Sequence, residues 1–268
     1  MLITSTTNPR VKGLVRLRTR RERDATGRFL VEGYRELARA LQGGIALEEL
    51  YHCPSLYLGR NEPALVEAAA TTTEVVELGE EAFRRISHRD RPEGLLGVAR
   101  QFPTGLERLV LGDVPLVLVV ESIEKPGNLG AMLRTAEAAG ADGIVVCDPA
   151  TDPFNPNVVR ASLGTLFLVP LVVSGSAEAL AWLRARDVAI FAATPSADLV
   201  HWQVDYRGPV ALLIGSEQYG LSNLWLEAAT HRVRIPMAGT VDSLNAATAA
   251  GVLLFEALRQ RFPAKSRS

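Results

Sequence analysis

The sequence predicts an α/β protein in two parts: a small α/β unit, then a larger parallel sheet with helices on both faces. Three observations carry this. The first hundred residues alternate short helical and strand patterns. From Pro115 onward the strands become near-continuous Val, Ile and Leu runs, the mark of strands buried on both faces. Between the two lies "PTGLERLVLGD", where Pro103, Gly105 and Gly112 punctuate a connector. The expected boundaries are 1–102, a linker over 103–114, and 115–268.

In the first part a helix is expected over 8–20, then a strand in "RFLVEG". A helix at "YRELARALQ" and a strand around "LEELYHC" follow. Next come a helix over 63–70, a short strand "EVVEL", a helix "EEAFRRIS" and a strand in "GLLGVARQF". In the second part strands are expected in "PLVLVVES", "GIVVCD", "LFLVPLVV", "VAIFAAT", "PVALLIG" and "HRVRIPM". Helical spacing fills "GNLGAMLRTAEAAGA", "SAEALAWLRARD" and "LSNLWLEAAT", and a last helix enters at Ser243-Leu244-Asn245. Strands alternating with helices in this way make a doubly wound sheet. The terminal "AKSRS" is short and polar, so fraying is expected there.

Composition narrows the function. Apolar residues make up 47% of 268, enough for a substantial core. A net charge of −1 excludes a globally basic nucleic-acid coat but not a local basic patch. Residues 1–28 hold eight basic side chains against two acids. Arg35, Arg39, Arg84, Arg85, Arg89 and Arg91 extend these candidate phosphate contacts, although a solvated helix face is the better account of any single one of them. Tyr34 is a candidate for stacking a base, against a plain core position. Cys53 and Cys147 lie in different halves with no CxxC or metal spacing and read as reduced, semi-buried thiols. His52, His88, His201 and His231 are scattered, so no metal site is expected. The start "MLITSTTNPR" lacks a signal-peptide apolar core, and no apolar run reaches the roughly 18 residues of a membrane span. A cytoplasmic protein without membrane attachment is expected.

Ligands of doubly wound sheets bind off the carboxyl ends of the strands, and three strand ends here are chemically loaded. After "PLVLVVES", Pro126-Gly127 turn the chain into a helix that Asn128 can cap and that carries Arg134. A phosphate can sit at such a helix start, and a capped helix with a solvated arginine fits the local residues equally well. Only Gly127 and Gly130 are present, so this is neither GxGxxG nor a Walker loop. In "VALLIGSEQYGLS" a buried strand runs into Gly215, which permits close approach of a ligand or a positive φ, and Glu217 follows at the mouth. Taken alone, it reads as a turn with an exposed glutamate. In "IPMAGTVDSLNAATAAGVLLFE" a strand ends at Ile235-Pro236-Met237 and a helix rich in small residues begins near Ser243. Ser243 as a simple N-cap is a sufficient account of that one residue, not of Asn245 or of the small residues beyond it.

Together, "PGNLGAMLRTAEAAG", "LLIGSEQYGLS" and "IPMAGTVDSLNAATAAGVLLFE" resemble the three signature motifs of the SpoU/TrmH-type RNA 2′-O-ribose methyltransferases of the SPOUT class. Order, spacing and residue types agree over roughly 115–260. "RFLVEGYRELARAL" is similar to the small substrate-binding domain of the ribosomal L30e fold that many members carry in front. The resemblance implies a deep trefoil knot in the C-terminal domain and S-adenosylmethionine as cofactor. Backbone groups around Gly215, Ile235 and Leu244 would hold its adenine and ribose. The catalytic positions fall on Asn128, Arg134, Glu217, Ser243 and Asn245, with no departure at these five. The implied partners are RNA, most often ribosomal RNA of the 23S type, and a second copy of the chain through the C-terminal domain. Small residues would then be what the knot crossing tolerates.

The chemistry fits these residue types. No histidine lies in the motifs, so a histidine base is not expected. Arg134 can hydrogen-bond a 2′-oxygen and the adjacent phosphate and so stabilise a developing alkoxide. Arginine side chains stay protonated in proteins, which argues against it as the proton acceptor. The same-class alternative is a tRNA substrate. A non-catalytic RNA-binding module is opposed by the intact Asn128, Arg134 and Glu217, and a dehydrogenase by the absent dinucleotide fingerprint.

Overall fold

The computed structural model describes residues 2–262, so the expected fraying of "AKSRS" lies outside the described residues. In chain order the first elements are β1 (Leu2–Ile3), α1 (Pro9–Arg16), α2 (Arg20–Thr26), β2 (Arg28–Glu32), α3 (Tyr34–Gln42), β3 (Leu47–His52), α4 (Glu62–Ala69), β4 (Glu74–Leu78), α5 (Glu80–Ile86) and β5 (Leu95–Arg100). Then come β6 (Leu116–Glu121), α6 (Pro126–Ala138), β7 (Gly143–Cys147), α7 (Pro156–Ser162), β8 (Leu171–Ser174), α8 (Ser176–Arg184), β9 (Ala189–Ala193) and β10 (Leu199–Val200). The chain closes with β11 (Val210–Ile214), α9 (Asn223–Ala228), β12 (His231–Arg234) and α10 (Ala246–Arg261).

Two compact units result. The first combines residues 2–102 with Asp152–Leu168. Its sheet runs β1-β4-β3-β5-β2, with β5 antiparallel to both neighbours. The helix expected over 8–20 is two helices. Asn8 caps α1 through Arg10 N (2.9 Å), and Thr19 starts α2 by accepting from Glu22 N while its hydroxyl donates to Arg16 O (2.9 Å). A threonine that satisfies both ends breaks the helix at that point.

Segment Asp152–Leu168, expected within the second domain, packs in the first unit. The reasons are specific. The buried guanidinium of Arg23 donates to Asp152 Oδ2 through Nε at 2.8 Å and Nη2 at 2.5 Å. Phe29 sits 5.0 Å from the ring of Phe154 and 6.1 Å from that of Phe167. The strand expected in "LFLVPLVV" shortens accordingly: Thr165–Phe167 form a 3-10 turn and β8 begins only at Leu171, past Pro170. Leu163 and Gly164 both take left-handed φ (50° and 84°), which stops α7.

The second unit is a parallel sheet in the order β10-β12-β9-β11-β6-β7-β8. The chain moves outward from β6 through β7 to β8, then crosses to β9 and returns to insert β11 beside β6. β6 and β11 therefore flank the switch point, in register with Ile214 opposite Val120. Val117, Val119, Ala211 and Leu213 pack with Ala179, Leu183 and Trp225 from α8 and α9. The alternate residues Leu118, Val120 and Leu212 are equally buried, as continuous apolar runs require. On α10 the buried side chains are Ala246, Ala250, Leu253, Leu254 and Ala257, and the helix packs on α6 and β11.

Candidate active site

The site is built at the carboxyl ends of β6 and β11, where α6, the loop after β11 and the start of α10 meet. Pro126 occupies the first turn of α6, and Lys125 precedes it without a side-chain cap. Asn128 is thus inside the helix and does not cap it, contrary to the sequence expectation. Its side chain is spent elsewhere: Nδ2 donates to Glu217 Oε1, and Oδ1 accepts from Asn245 Nδ2 at 3.1 Å. A carboxylate only accepts, so the Glu217 contact fixes which end of the Asn128 amide is which.

Asn245 is the N-cap of α10. Its Oδ1 accepts from Ala247 N at 3.0 Å and Thr248 N at 3.4 Å. The capping role expected of Ser243 thus falls two residues later, because α10 begins only at Ala246 and Ser243 and Leu244 precede it as irregular chain. One polar side chain from each loop joins the others in the series Asn245, Asn128, Glu217. Arg134 is exposed on α6. Among the described residues its guanidinium has no hydrogen-bond or ion-pair partner, and Ser243 likewise has none. The structure brings three of the five candidates into direct contact and leaves these two unengaged.

Gly215 is constrained by its own loop. A Cβ there would lie 2.1 Å from the Gly220 carbonyl carbon and 2.3 Å from Leu221 N. Its φ is not positive. Gly220, at φ +68°, is the residue in the left-handed region. Ser216 and Gly220 exchange two backbone hydrogen bonds, each 3.1 Å, and Tyr219 N donates to Ser216 Oγ at 3.0 Å. This closed turn holds Glu217 out toward Asn128. The run 235–244 behaves in the opposite way. Among the described residues, no intramolecular hydrogen bond engages any of its backbone groups, although Ile235 and Leu244 are partly buried. Most of this run is exposed, so its backbone groups are open to water or a ligand.

Sequence reasoning missed Glu121. Buried at the end of β6, it accepts from Ser222 N through Oε2 at 2.7 Å and so ties down the far side of the β11 loop. Its Oε1 lies 3.2 Å from Ser176 Oγ, which is 2.5 Å from Asp148 Oδ2 and accepts from Trp225 Nε1 at 3.1 Å. A carboxylate ending an otherwise apolar buried strand was the available signal.

The basic candidates of the first unit divide sharply. Arg23 is buried against Asp152, and Arg39 donates to Leu163 O. Arg84 pairs with Glu80, and Arg89 with Glu36 and Glu93. Burial raises the Glu36 carboxyl pKa, and the Arg89 charge opposes that shift. Arg35, Arg85 and Arg91 are exposed with no ion pair among the described residues. Tyr34 is half-buried at the start of α3. No group of three His, Cys, Asp or Glu suited to a metal occurs among the described residues, and none of their helices is long and apolar enough to cross a membrane.

Comparison with known proteins accords with this geometry. Residues 115–255 match the SpoU rRNA Methylase family, and residues 8–97 match the MRM3-like substrate binding domain. The chain is similar to a solved RNA 2′-O ribose methyltransferase, with a TM-score of 0.87 and 42% identity over 97% of this chain and 99% of that one. It is similar also to an AdoMet-bound rRNA methyltransferase from Sinorhizobium meliloti, with a TM-score of 0.89 and 33% identity over 98% and 99% of the two chains. The 23S rRNA (uridine(2479)-2′-O)-methyltransferase of Streptomyces viridochromogenes is 32% identical over 93% of this chain and 89% of its own length. The chain belongs to the SpoU rRNA Methylase family.

Proposed function

We propose that this protein transfers a methyl group from S-adenosylmethionine to a ribose 2′-hydroxyl of ribosomal RNA of the 23S type, in the cytoplasm. The observation that carries the reading is the hydrogen-bonded series Asn245, Asn128, Glu217, which ties three motifs together at the switch point of a parallel sheet. The bare backbone of residues 235–244 fits a cofactor that needs donors and acceptors from main chain. In this reading Gly215, Ile235 and Leu244 hold its adenine and ribose. When bound, the cofactor supplies a sulfonium methyl that is already electrophilic.

The chain's own residues then handle the acceptor. Arg134, exposed and unpaired among the described residues, engages the 2′-oxygen and the neighbouring phosphate and stabilises the developing alkoxide. Asn128, Glu217, Ser243 and Asn245 orient the nucleotide, and the acceleration comes largely from that positioning. The knotted crossing belongs to the same proposal. β12 is separated from β11 by β9, yet α10 returns to pack on α6 and β11. So does a homodimer through this unit. Among the apolar side chains of α10, Leu253 is core, Phe255 is exposed, and Val252 and Leu258 are partly so. Sedimentation at tens of micromolar tests the dimer, and a monomer contradicts it.

The test of the function is twofold. Calorimetry should detect S-adenosylhomocysteine and not NAD. Mapping of 2′-O-methyl sites in total RNA, with and without the gene, should lose one ribosomal position. Binding of NAD with no response to S-adenosylhomocysteine contradicts the reading.

A further inference from the structure

We propose that the groove between α1 and α5 of the first unit grips the phosphate backbone of the RNA substrate. This rests on the reading that the substrate is RNA and adds where the first unit holds it. The two helices pack side by side. Between them lies a groove of about 590 Å³ lined by Thr6, Thr7, Lys12, Val15, Arg16 and Arg85. Each polar side chain in that lining is a hydrogen-bond donor: one ammonium, two guanidiniums and two hydroxyls. No carboxylate lines it.

Two of the three charges there are also unpaired. Lys12 and Arg85 have no ion pair among the described residues. Arg16 has one, to Glu22 at 3.5 Å, between side chains 66% and 31% exposed. A pair that open contributes little. Three other cations of the unit are instead held at close range: Arg10 by Glu74 at 2.7 Å, Arg28 by Glu48 at 2.5 Å and Arg84 by Glu80 at 2.8 Å. Capping of α5 does not occupy Arg85 either. It is the Arg18 guanidinium that donates to Arg85 O at 2.8 Å and to Ser87 O, which fixes the end of α5 and leaves the Arg85 side chain to the groove. Two unpaired cations, one loosely paired arginine and two threonine hydroxyls, with no acid in the lining, match a run of phosphates. The lining holds no aromatic side chain, so the groove positions the strand and does not read its bases.

The test uses the full chain and a fluorescein-labelled single-stranded RNA of mixed sequence, titrated across a potassium chloride series. Each phosphate contact contributes about 0.7 to the slope of log K against log salt for a single strand. Lys12→Gln and Arg85→Gln should each flatten the slope by about that amount, and the double variant by about twice it. Arg60→Gln removes an exposed cation outside the groove and should leave the slope unchanged. Melting curves of all variants should match wild type, because Lys12, Arg60 and Arg85 are exposed. An unaltered slope in the double variant, or equal flattening by Arg60→Gln, overturns the groove. If wild-type protein binds and methylates RNA in that case, the methyltransferase reading survives. Wild-type protein that neither binds RNA nor transfers methyl to it overturns both.

Discussion

Asn245 Nδ2 lies 3.1 Å from Asn128 Oδ1, across 117 positions of sequence, while the other end of the Asn245 amide caps α10. One side chain thus sets where the last helix begins and how Asn128 is turned toward Glu217. Stability and site geometry are coupled at this residue, and substitution can separate them.

Asn245→Ala removes both functions and should destabilise by about 1 kcal/mol, the usual cost of a lost N-cap. Asn245→Asp keeps a capping oxygen but cannot donate to Asn128. Its melting temperature should stay near wild type, while methyl transfer falls roughly tenfold to a hundredfold through misplacement. Melting curves beside transfer rates decide this. Equal losses of both properties in the two variants contradict the coupling.

Glu121→Ala should cost about 1–3 kcal/mol, because it removes a charge-assisted hydrogen bond from Ser222 N to a buried carboxylate. Glu121→Gln keeps an acceptor for that N–H and should recover most of the loss. Urea denaturation of both variants checks the difference, and Gln behaving like Ala contradicts the assignment.

On α10 the small residues are not equivalent. A Cβ at Gly251 would meet only Thr135 Cγ2, at an ordinary 3.5 Å. Gly251→Ala should therefore stabilise by about 0.5–1 kcal/mol through helix propensity. Ala250 is fully buried on the packed face. Ala250→Leu should cost about 1–3 kcal/mol by overpacking. Opposite shifts in melting temperature are the expected result.

Cys147 is buried, and its thiol pKa is pushed up to about 12, first by burial and then by the charges of Asp148 and Glu121. The thiolate is the reactive form, so the native protein should resist iodoacetamide at this position near pH 8 and label there only after unfolding. The folded pKa is raised. The linked stability is therefore full below the ordinary thiol value of 9.0 and is lost as pH climbs toward about 12. Peptide mass mapping of native and urea-treated protein reads the labelling, and rapid native labelling of Cys147 contradicts it.

Much of the second unit was legible because its strands are continuous apolar runs, and β6, β7 and β11 fall where those runs lie. α7 was also within reach: Asn155-Pro156 is a capped helix start with proline in the first turn, and Gly164 marks its end. What the sequence does not reveal is allegiance. Asp152–Leu168 joins the first unit through a buried Arg23–Asp152 pair 129 positions apart, and no local pattern announces such a partner. At the site, the resemblance of three motifs to the SpoU/TrmH signatures pointed to Asn128, Glu217 and Asn245. Their mutual contacts, the displaced N-cap and the supporting Glu121 came only from the fold, because hydrogen-bond geometry between distant loops leaves no periodicity in the chain.

The central claim is that Arg134, exposed and without a partner among the described residues, acts on the ribose 2′-oxygen. Single-turnover methyl transfer to the cognate ribosomal RNA by Arg134→Ala, measured beside S-adenosylmethionine affinity and a melting curve, tests it most directly. The account predicts a rate lowered by roughly 10²–10³, the cost of one charge-stabilising donor, with cofactor affinity and melting unchanged. Lysine should restore only part of the rate, because it lacks the planar fork. Transfer by Arg134→Ala at the wild-type rate would contradict the account, as would loss of cofactor binding or of the fold.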